Sequence, residues 1–139
     1  MENKAKKRSL SKSNNKIVLS WDTYISMIYN LCDKIKKSKI KFKYVYGPPR
    51  GGYIPSVIIS HELKKDLVIN IEDCRKGSIL IVDDIIDTSK TINKLLCNIY
   101  DDSIKVYTAS IFKHKKSPFK PDFFIQKNDS WVEFPYERN

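Results

Sequence analysis

Three carboxylates and a run of small hydroxyl residues fall within one short stretch, Val82-Asp83-Asp84-Ile85-Ile86-Asp87-Thr88-Ser89-Lys90-Thr91. Carboxylates accept hydrogen bonds from vicinal hydroxyls. Asp87-Thr88-Ser89-Lys90-Thr91 adds backbone N–H groups, hydroxyls and an ammonium just before a helix-like run, 92–100, and such a turn can cradle a phosphate. One ligand satisfies both demands, a sugar phosphate. A second anion-seeking group lies upstream at Arg50-Gly51-Gly52, where two glycines let the backbone approach an anion. The guanidinium and a following helix N-terminus both favour negative charge there. A Walker-type P-loop does not fit, because Ser89-Lys90-Thr91 lacks upstream glycines and follows acids that repel phosphate.

These groups need a scaffold that brings them together. Ile79-Leu80-Ile81-Val82 has no polar alternation, the pattern of a parallel strand buried on both faces. It would set Asp83 and Asp84 at the carboxyl end of a central strand, where open α/β sheets bind ligands. Phe42 to Tyr46 predicts a first core strand stopped by Gly47-Pro48-Pro49, and the apolar run 57–59 predicts a helix after the glycine loop, ending near Leu63. Upstream, Ser20 is an N-cap before Trp21-Asp22-Thr23. Tyr24, Ile25, Ile28, Leu31, Cys32 and Ile35 then follow helical spacing that dissolves into Lys36-Lys37-Ser38-Lys39. Trp21 on its own reads as a buried aromatic. A strand over 67–71, a turn through 72–77, a helix with Ile92, Leu95, Leu96 and Ile99 at core spacing and a strand over 104–112 complete the pattern. It predicts a single α/β domain with a mainly parallel sheet of four or five strands and helices on both faces.

The chain of 139 residues suits one domain, and its net charge of +10 is unevenly spread. Residues 1–16 hold +5 of it among serines and asparagines, which predicts a disordered basic tail ahead of a domain over 17–139. Such a tail attracts polyanions, nucleic acid included, but no aromatic residues interleave its lysines, so a solubilising leader is the favoured reading. The remaining charge suits a substrate bearing several phosphates. No apolar run approaches a membrane span and no hydrophobic signal region precedes the basic residues, so a cytoplasmic protein without a membrane partner is expected. Cys32, Cys74 and Cys97 are odd in number and far apart, and are read as reduced core thiols rather than zinc ligands.

The stretch Val82 to Thr91 resembles the phosphoribosyl-diphosphate (PRPP) signature of type I phosphoribosyltransferases, and Arg50-Gly51-Gly52, one βα unit earlier, resembles that family's pyrophosphate loop. The ending Asp129-Ser130-Trp131-Val132-Glu133-Phe134-Pro135-Tyr136-Glu137 is similar to the base-binding segment of short 6-oxopurine members of the xanthine-guanine kind. The resemblance covers 17–137. It implies a purine-salvage enzyme that transfers the 5-phosphoribosyl group from PRPP to guanine, xanthine or hypoxanthine, giving a nucleoside monophosphate and pyrophosphate. It implies PRPP contacts from Arg50, Gly51, Asp83, Asp84, Asp87, Thr88, Ser89, Lys90 and Thr91, magnesium (Mg2+) at Asp84, and Asp87 as the catalytic base near N7 of the purine. Trp131 would stack on the base and the backbone at Val132 and Glu133 would read its edge. A lysine at the end of strand 104–112 meets the 6-oxo group in purine-using relatives; here Lys113, His114 and Lys115 all stand as candidates, with ungapped alignment landing on His114. Relatives often carry a cis peptide before or at the arginine, which singles out Pro49–Arg50, and they assemble as dimers or tetramers, so a homo-oligomer is expected.

Two departures accompany the resemblance. Ser89 stands where the family usually has glycine. Only residues 72–77 connect the strands between which active relatives carry a long loop that closes over substrate. The alternative is therefore a non-catalytic PRPP- or nucleotide-sensing module on the same fold, with nucleic acid a partner only through residues 1–16.

Overall fold

The structure, a computed structural model, describes residues 10–11, 16–86, 88–99 and 103–137. In chain order its elements are β1 (Leu10–Ser11), β2 (Lys16–Val18), α1 (Trp21–Ser38), β3 (Tyr44–Tyr46), α2 (Tyr53–Leu63), β4 (Asp66–Val68), β5 (Ser78–Ile86), α3 (Ser89–Leu96), β6 (Lys105–His114), β7 (Phe123–Asn128) and β8 (Trp131–Glu133). Short 3-10 turns lie at Ile71–Asp73 and Pro135–Glu137.

The aliphatic run is the hub. Ile79, Leu80, Ile81 and Val82 are each 0% exposed, and burying each such side chain stabilises by about 1.5–3 kcal/mol. They sit in β5, the middle strand of a five-stranded sheet of order β4-β3-β5-β6-β7 in which every neighbouring pair is parallel. Because side chains alternate along a strand, Leu80 and Val82 face a core built with α1 and α2, while Ile79 and Ile81 face a smaller one with Tyr46, Ile71, Cys74 and Ile92. Helices thus cover both faces, as the pattern predicts.

Helix α1 starts where its cap predicts. The Ser20 hydroxyl accepts the Thr23 N–H at 3.1 Å, and Tyr24, Met27, Ile28, Leu31, Cys32 and Ile35 form its buried stripe. The helix outlasts the expected fade into lysines and runs to Ser38, with Lys39 as a left-handed cap. Trp21 is 51% exposed, since its position in the first turn lies off that stripe, so it is not the buried aromatic expected. Cys32 and Cys74 are core thiols, whereas Cys97 is exposed beyond the end of α3.

The strand expected at 67–71 is shorter, because the chain bends after Val68 and Ile71 tucks under the sheet in a 3-10 turn. The connection to β5 is held there by buried Cys74 and by the Tyr44 hydroxyl, which donates to the Arg75 carbonyl at 2.8 Å. Its Ile71 and Cys74 pack into the core on one face of the sheet.

A second, three-stranded sheet joins the two ends of the described chain: β1 runs antiparallel to β2, and β2 parallel to β8. Lys16 sits 2.5 Å from Glu133 across that pairing. Residues 10–11 and 16, assigned above to the basic tail, are therefore in strands, and the rest of 1–15 lies outside the described residues. Among the described residues no helix is long and apolar enough to cross a membrane.

Candidate functional site

Asp83 and Asp84 lie inside β5 rather than just past it, because the strand keeps pairing with β6 as far as Ile86. Asp83 Oδ1 accepts the Asp84 N–H at 2.8 Å and Asp84 Oδ1 accepts the Ile85 N–H at 2.7 Å. The second oxygen of Asp84 accepts a hydrogen bond from the Tyr136 hydroxyl, on the C-terminal 3-10 turn. Burial, and then the charge of adjacent Asp84, pushes the Asp83 carboxyl up to about 8. The Tyr136 phenol is raised by burial and by its bond to Asp84. Behind the pair, Tyr24 is fully buried with no hydrogen-bond partner for its hydroxyl, and its phenol is raised by burial and by the Asp84 and Asp83 charges.

Asp87, expected as the base, lies outside the described residues. The turn after it has the expected form. Thr88 caps α3, its hydroxyl accepting the Lys90 N–H at 3.3 Å, and Ser89, Lys90 and Thr91 make the first helical turn. The backbone N–H groups of that turn are the ones a phosphate would use.

On the neighbouring strand the glycine loop leads from β3 into α2. The Pro49–Arg50 peptide is cis, at the bond singled out from the sequence, and Arg50 is exposed. Gly51 and Gly52 are required for space. A Cβ on Gly51 would lie 2.5 Å from the Asp84 Cγ, and one on Gly52 would lie 2.5 Å from the Val82 carbonyl oxygen. The loop therefore seats directly against the acidic stretch of β5, and Gly51 and Asp84 are neighbours.

On the other side of Asp84 opens a cavity of about 300 Å³, lined among others by Asp84, His114, Trp131, Val132, Phe134 and Glu137. Trp131 is 70% exposed and offers a free ring face, while Val132 and Phe134 are buried beneath. The three candidates at the end of β6 separate clearly. Lys113 is buried with its ammonium donating to the His114 and Ser117 carbonyls, both at 3.1 Å, and so does not line the cavity. Lys115 is exposed, its N–H donating to the Asn128 carbonyl at 3.0 Å. His114 alone lines the cavity, and its Nδ1 accepts the Lys116 N–H at 3.3 Å, which leaves Nε2 to carry the proton of the neutral ring.

Tyr136 and Glu137, quoted above within the C-terminal segment but given no role there, and Tyr24, read only as helix core, belong to this neighbourhood. Phe134 and Tyr136 stack at 5.6 Å and 10°, and both rings meet Tyr24 at 5.8 Å, which clamps the C-terminal turn onto α1 and Asp84. Among the described residues no group of three or more His, Cys, Asp or Glu could enclose a metal ion. Asp84 nevertheless fits magnesium, which commonly takes one or two carboxylates and completes its shell with water and ligand phosphates.

No family model matches the sequence. Solved structures do. A purine phosphoribosyltransferase from Pyrococcus horikoshii is 25% identical, with a TM-score of 0.76 over 90% of this chain and 95% of that one. A xanthine-guanine-hypoxanthine phosphoribosyltransferase from Helicobacter pylori is 21% identical, with a TM-score of 0.76 over 88% and 93%. A hypothetical protein from Neisseria gonorrhoeae with bound ppGpp is 18% identical, with a TM-score of 0.71 over 88% and 89%. The chain has the fold of the type I purine phosphoribosyltransferases, over about nine-tenths of its length.

Proposed function

We propose that the chain transfers the 5-phosphoribosyl group of PRPP to a 6-oxopurine, giving a nucleoside monophosphate and pyrophosphate. The observation that carries this reading is the double contact of Asp84, against Gly51 of the glycine loop on one side and on the wall of the Trp131–His114 cavity on the other. A ribose at Asp83 and Asp84 would then have its pyrophosphate at Arg50 and Gly51, its 5′-phosphate at Thr88, Ser89, Lys90 and Thr91, and its purine on Trp131. In the reaction the bond from C1′ to the pyrophosphate oxygen breaks, with the electron pair leaving on pyrophosphate. N9 of the purine bonds to C1′, and the base's proton passes to Asp87. Asp83 and Asp84 would hold the two ribose hydroxyls, Asp83 with its carboxyl raised by burial and then by the Asp84 charge. Magnesium held at Asp84 with the ligand's own oxygens would supply a hard positive charge beside the leaving pyrophosphate.

His114 takes the role of the base-reading lysine in this reading. Its Nε2–H donates to the 6-oxo group and meets a donor in adenine, whose 6-amino group would leave both unpaired. Because the β4–β5 connection is short, a neighbouring subunit of a homo-oligomer, dimer or tetramer, would exclude water from the reacting sugar. The setting this reading implies is cytoplasmic purine salvage.

A second reading is a non-catalytic PRPP- or nucleotide-sensing module, favoured by that short connection and by the ppGpp bound to the Neisseria protein. The deciding experiment incubates the full chain with PRPP, Mg2+ and separately guanine, xanthine, hypoxanthine and adenine, following nucleotide and pyrophosphate. Product with one or more 6-oxopurines and none with adenine is expected. Tight nucleotide binding without product from any base would replace the enzyme with the sensor.

A further inference from the structure

Every strand of the main sheet is entered, at its amino end, through a lysine. In spatial order these are Lys64 and Lys65 before β4, Lys41 and Lys43 before β3, Lys76 before β5, Lys105 opening β6 and Lys120 before β7. The connections are tied to one another, the Lys43 N–H donating to the Ser78 carbonyl at 2.9 Å and the Lys105 N–H to the Gly77 carbonyl at 3.0 Å. Beside them Lys36, Lys39, Lys41 and Lys65 line a groove of about 200 Å³. All of this lies at the opposite end of the strands from Asp83 and Asp84.

Surface lysines are ordinary; their backbone here is not. The non-glycine residues with positive φ among those described are Lys39 at 61°, Lys64 at 57° and Lys76 at 53°, and all three lie on this rim. A Cβ is disfavoured in that region, and helix ends such as those at Lys39 and Lys64 usually place glycine or asparagine there. Compensation of the helix dipole accounts for Lys36 and Lys37 in the last turn of α1. It does not account for Lys41, Lys43, Lys105 and Lys120, which lie beyond any helical turn.

Acids on these connections are fewer and partly engaged. Glu62 is 3.6 Å from Lys36, and Asp122 accepts the Thr108 N–H at 2.8 Å. Asp66 is exposed at the start of β4, Glu72 and Asp73 are exposed in the 3-10 turn of the β4–β5 connection, and Asp101 and Asp102 precede β6 outside the described residues.

The row's length and chemistry indicate the partner. Five strands about 4.8 Å apart spread the lysines over about 19 Å, longer than one phosphate group and suited to a series of them. Lysine is a point charge that meets backbone phosphate without reading bases. The exposed large apolar side chains nearest the row, Leu67 and Ile69, lie within β4 and past its carboxyl end rather than among the lysines, so a lipid surface would find little anchor at the rim itself. We propose that this amino-end rim binds the sugar-phosphate backbone of nucleic acid, independently of base sequence and at a site separate from the one at the strands' carboxyl ends.

The test is fluorescence anisotropy of the full chain with a labelled mixed-sequence DNA duplex of about 20 base pairs, across about 50–200 mM salt. If five lysines each meet a phosphate, the slope of log affinity against log salt is about −4.5. A variant carrying Lys39→Gly, Lys41→Gln, Lys64→Gly and Lys65→Gln removes the contacts at β4 and β3, and should flatten that slope by about 2 and weaken low-salt binding at least about tenfold. Its melting temperature should not fall, since the two glycines relieve left-handed lysines, and this separates lost contact from lost folding. A control with Lys4, Lys6 and Lys7 changed to Gln in the same full chain should keep most of the slope. Unchanged binding in the rim variant, or loss only in the control, would overturn the proposal. So would equally tight binding to phosphatidylserine vesicles, or full competition by inorganic tripolyphosphate at matched phosphate concentration.

Discussion

At the carboxyl end of β5, groups from several elements converge on two half-buried carboxylates, whereas at the amino end of the same sheet lysines gather on the connections, two of them over the rings of Tyr44 and Tyr107. Asp84 alone touches the glycine loop, the Ile85 N–H and the C-terminal Tyr136. Residue identity there is dictated by neighbours, so substitutions should be severe and non-additive. At the other end residue identity runs against the backbone's own preference, with lysine at three left-handed positions. Substitutions there should be mild, additive and felt mainly as charge. Much of the domain's positive charge, the lysine run 36–43 with Lys64 and Lys65, lies at the far pole from Asp83 and Asp84.

The largest effect belongs to the acidic turn. Asp87→Ala should lower turnover by about two to four decades while leaving PRPP affinity nearly intact, if Asp87 takes the proton. Lys41→Gln, at the other pole, should leave both unchanged. Steady-state kinetics with a PRPP binding isotherm check this, and equal turnover in Asp87→Ala would remove the base assignment.

Next comes a pH effect confined to the buried acids. An unfolded Asp loses its proton near 3.9, whereas Asp83 in the fold holds it to about 8. Between those values the folded state binds the extra proton, so stability falls as pH rises through that window and the penalty is complete above about 8. The effect is of the order of a few kcal/mol, driven first by burial and then by the Asp84 charge. Asp83→Asn should flatten this component, read as the difference in urea midpoints between variant and parent from pH 5 to pH 8. A difference that stays constant with pH would mean that Asp83 is ionised and well solvated.

What the sequence makes legible follows from how local each signal is. Ile79 to Val82 announces a strand buried on both faces by composition alone, and Ser20 announces a helix start by one side chain. The glycine loop is legible because its glycines are needed for close approach, and its neighbour Asp84 belongs to the adjacent motif. The Tyr136–Asp84 bond is not legible, since it joins residues 52 apart and no pattern encodes their meeting. The choice among Lys113, His114 and Lys115 turns on strand parity. A strand ending at Phe112 assigns them no face, but β6 runs to His114, so adjacent side chains point to opposite sides and one alone reaches the cavity. The left-handed lysines are hidden for the converse reason, since a reader looks for glycine or asparagine at such turns.

Trp131 offers a smaller and cleaner probe of the carboxyl end. Trp131→Ala should weaken purine nucleotide binding by about 1–3 kcal/mol through lost stacking. Trp131 is 70% exposed, so the melting temperature should hardly move, unlike substitutions at the buried Phe134 or Tyr24. Calorimetric titration with a purine nucleotide, paired with a thermal melt, separates the two. An unchanged affinity would assign the ring to another surface.

The smallest effect tests the amino end on its own terms. Lys39 has φ 61° at the cap of α1, where its Cβ crowds the following carbonyl, and glycine has no such contact. Against that gain stands the greater freedom of glycine in the unfolded chain, which offsets part of it. Lys39→Gly should therefore raise stability by about 0.5–1 kcal/mol net. Two residues earlier, inside the last turn of α1, Lys37→Gly removes the same charge from helical backbone and should lower stability by about 0.5–1 kcal/mol. Charge is matched between the two variants, so opposite signs in denaturant melts isolate the backbone term. If both destabilise alike, the left-handed lysine is supported by contacts of its own, and the amino end is as tightly specified as the carboxyl end.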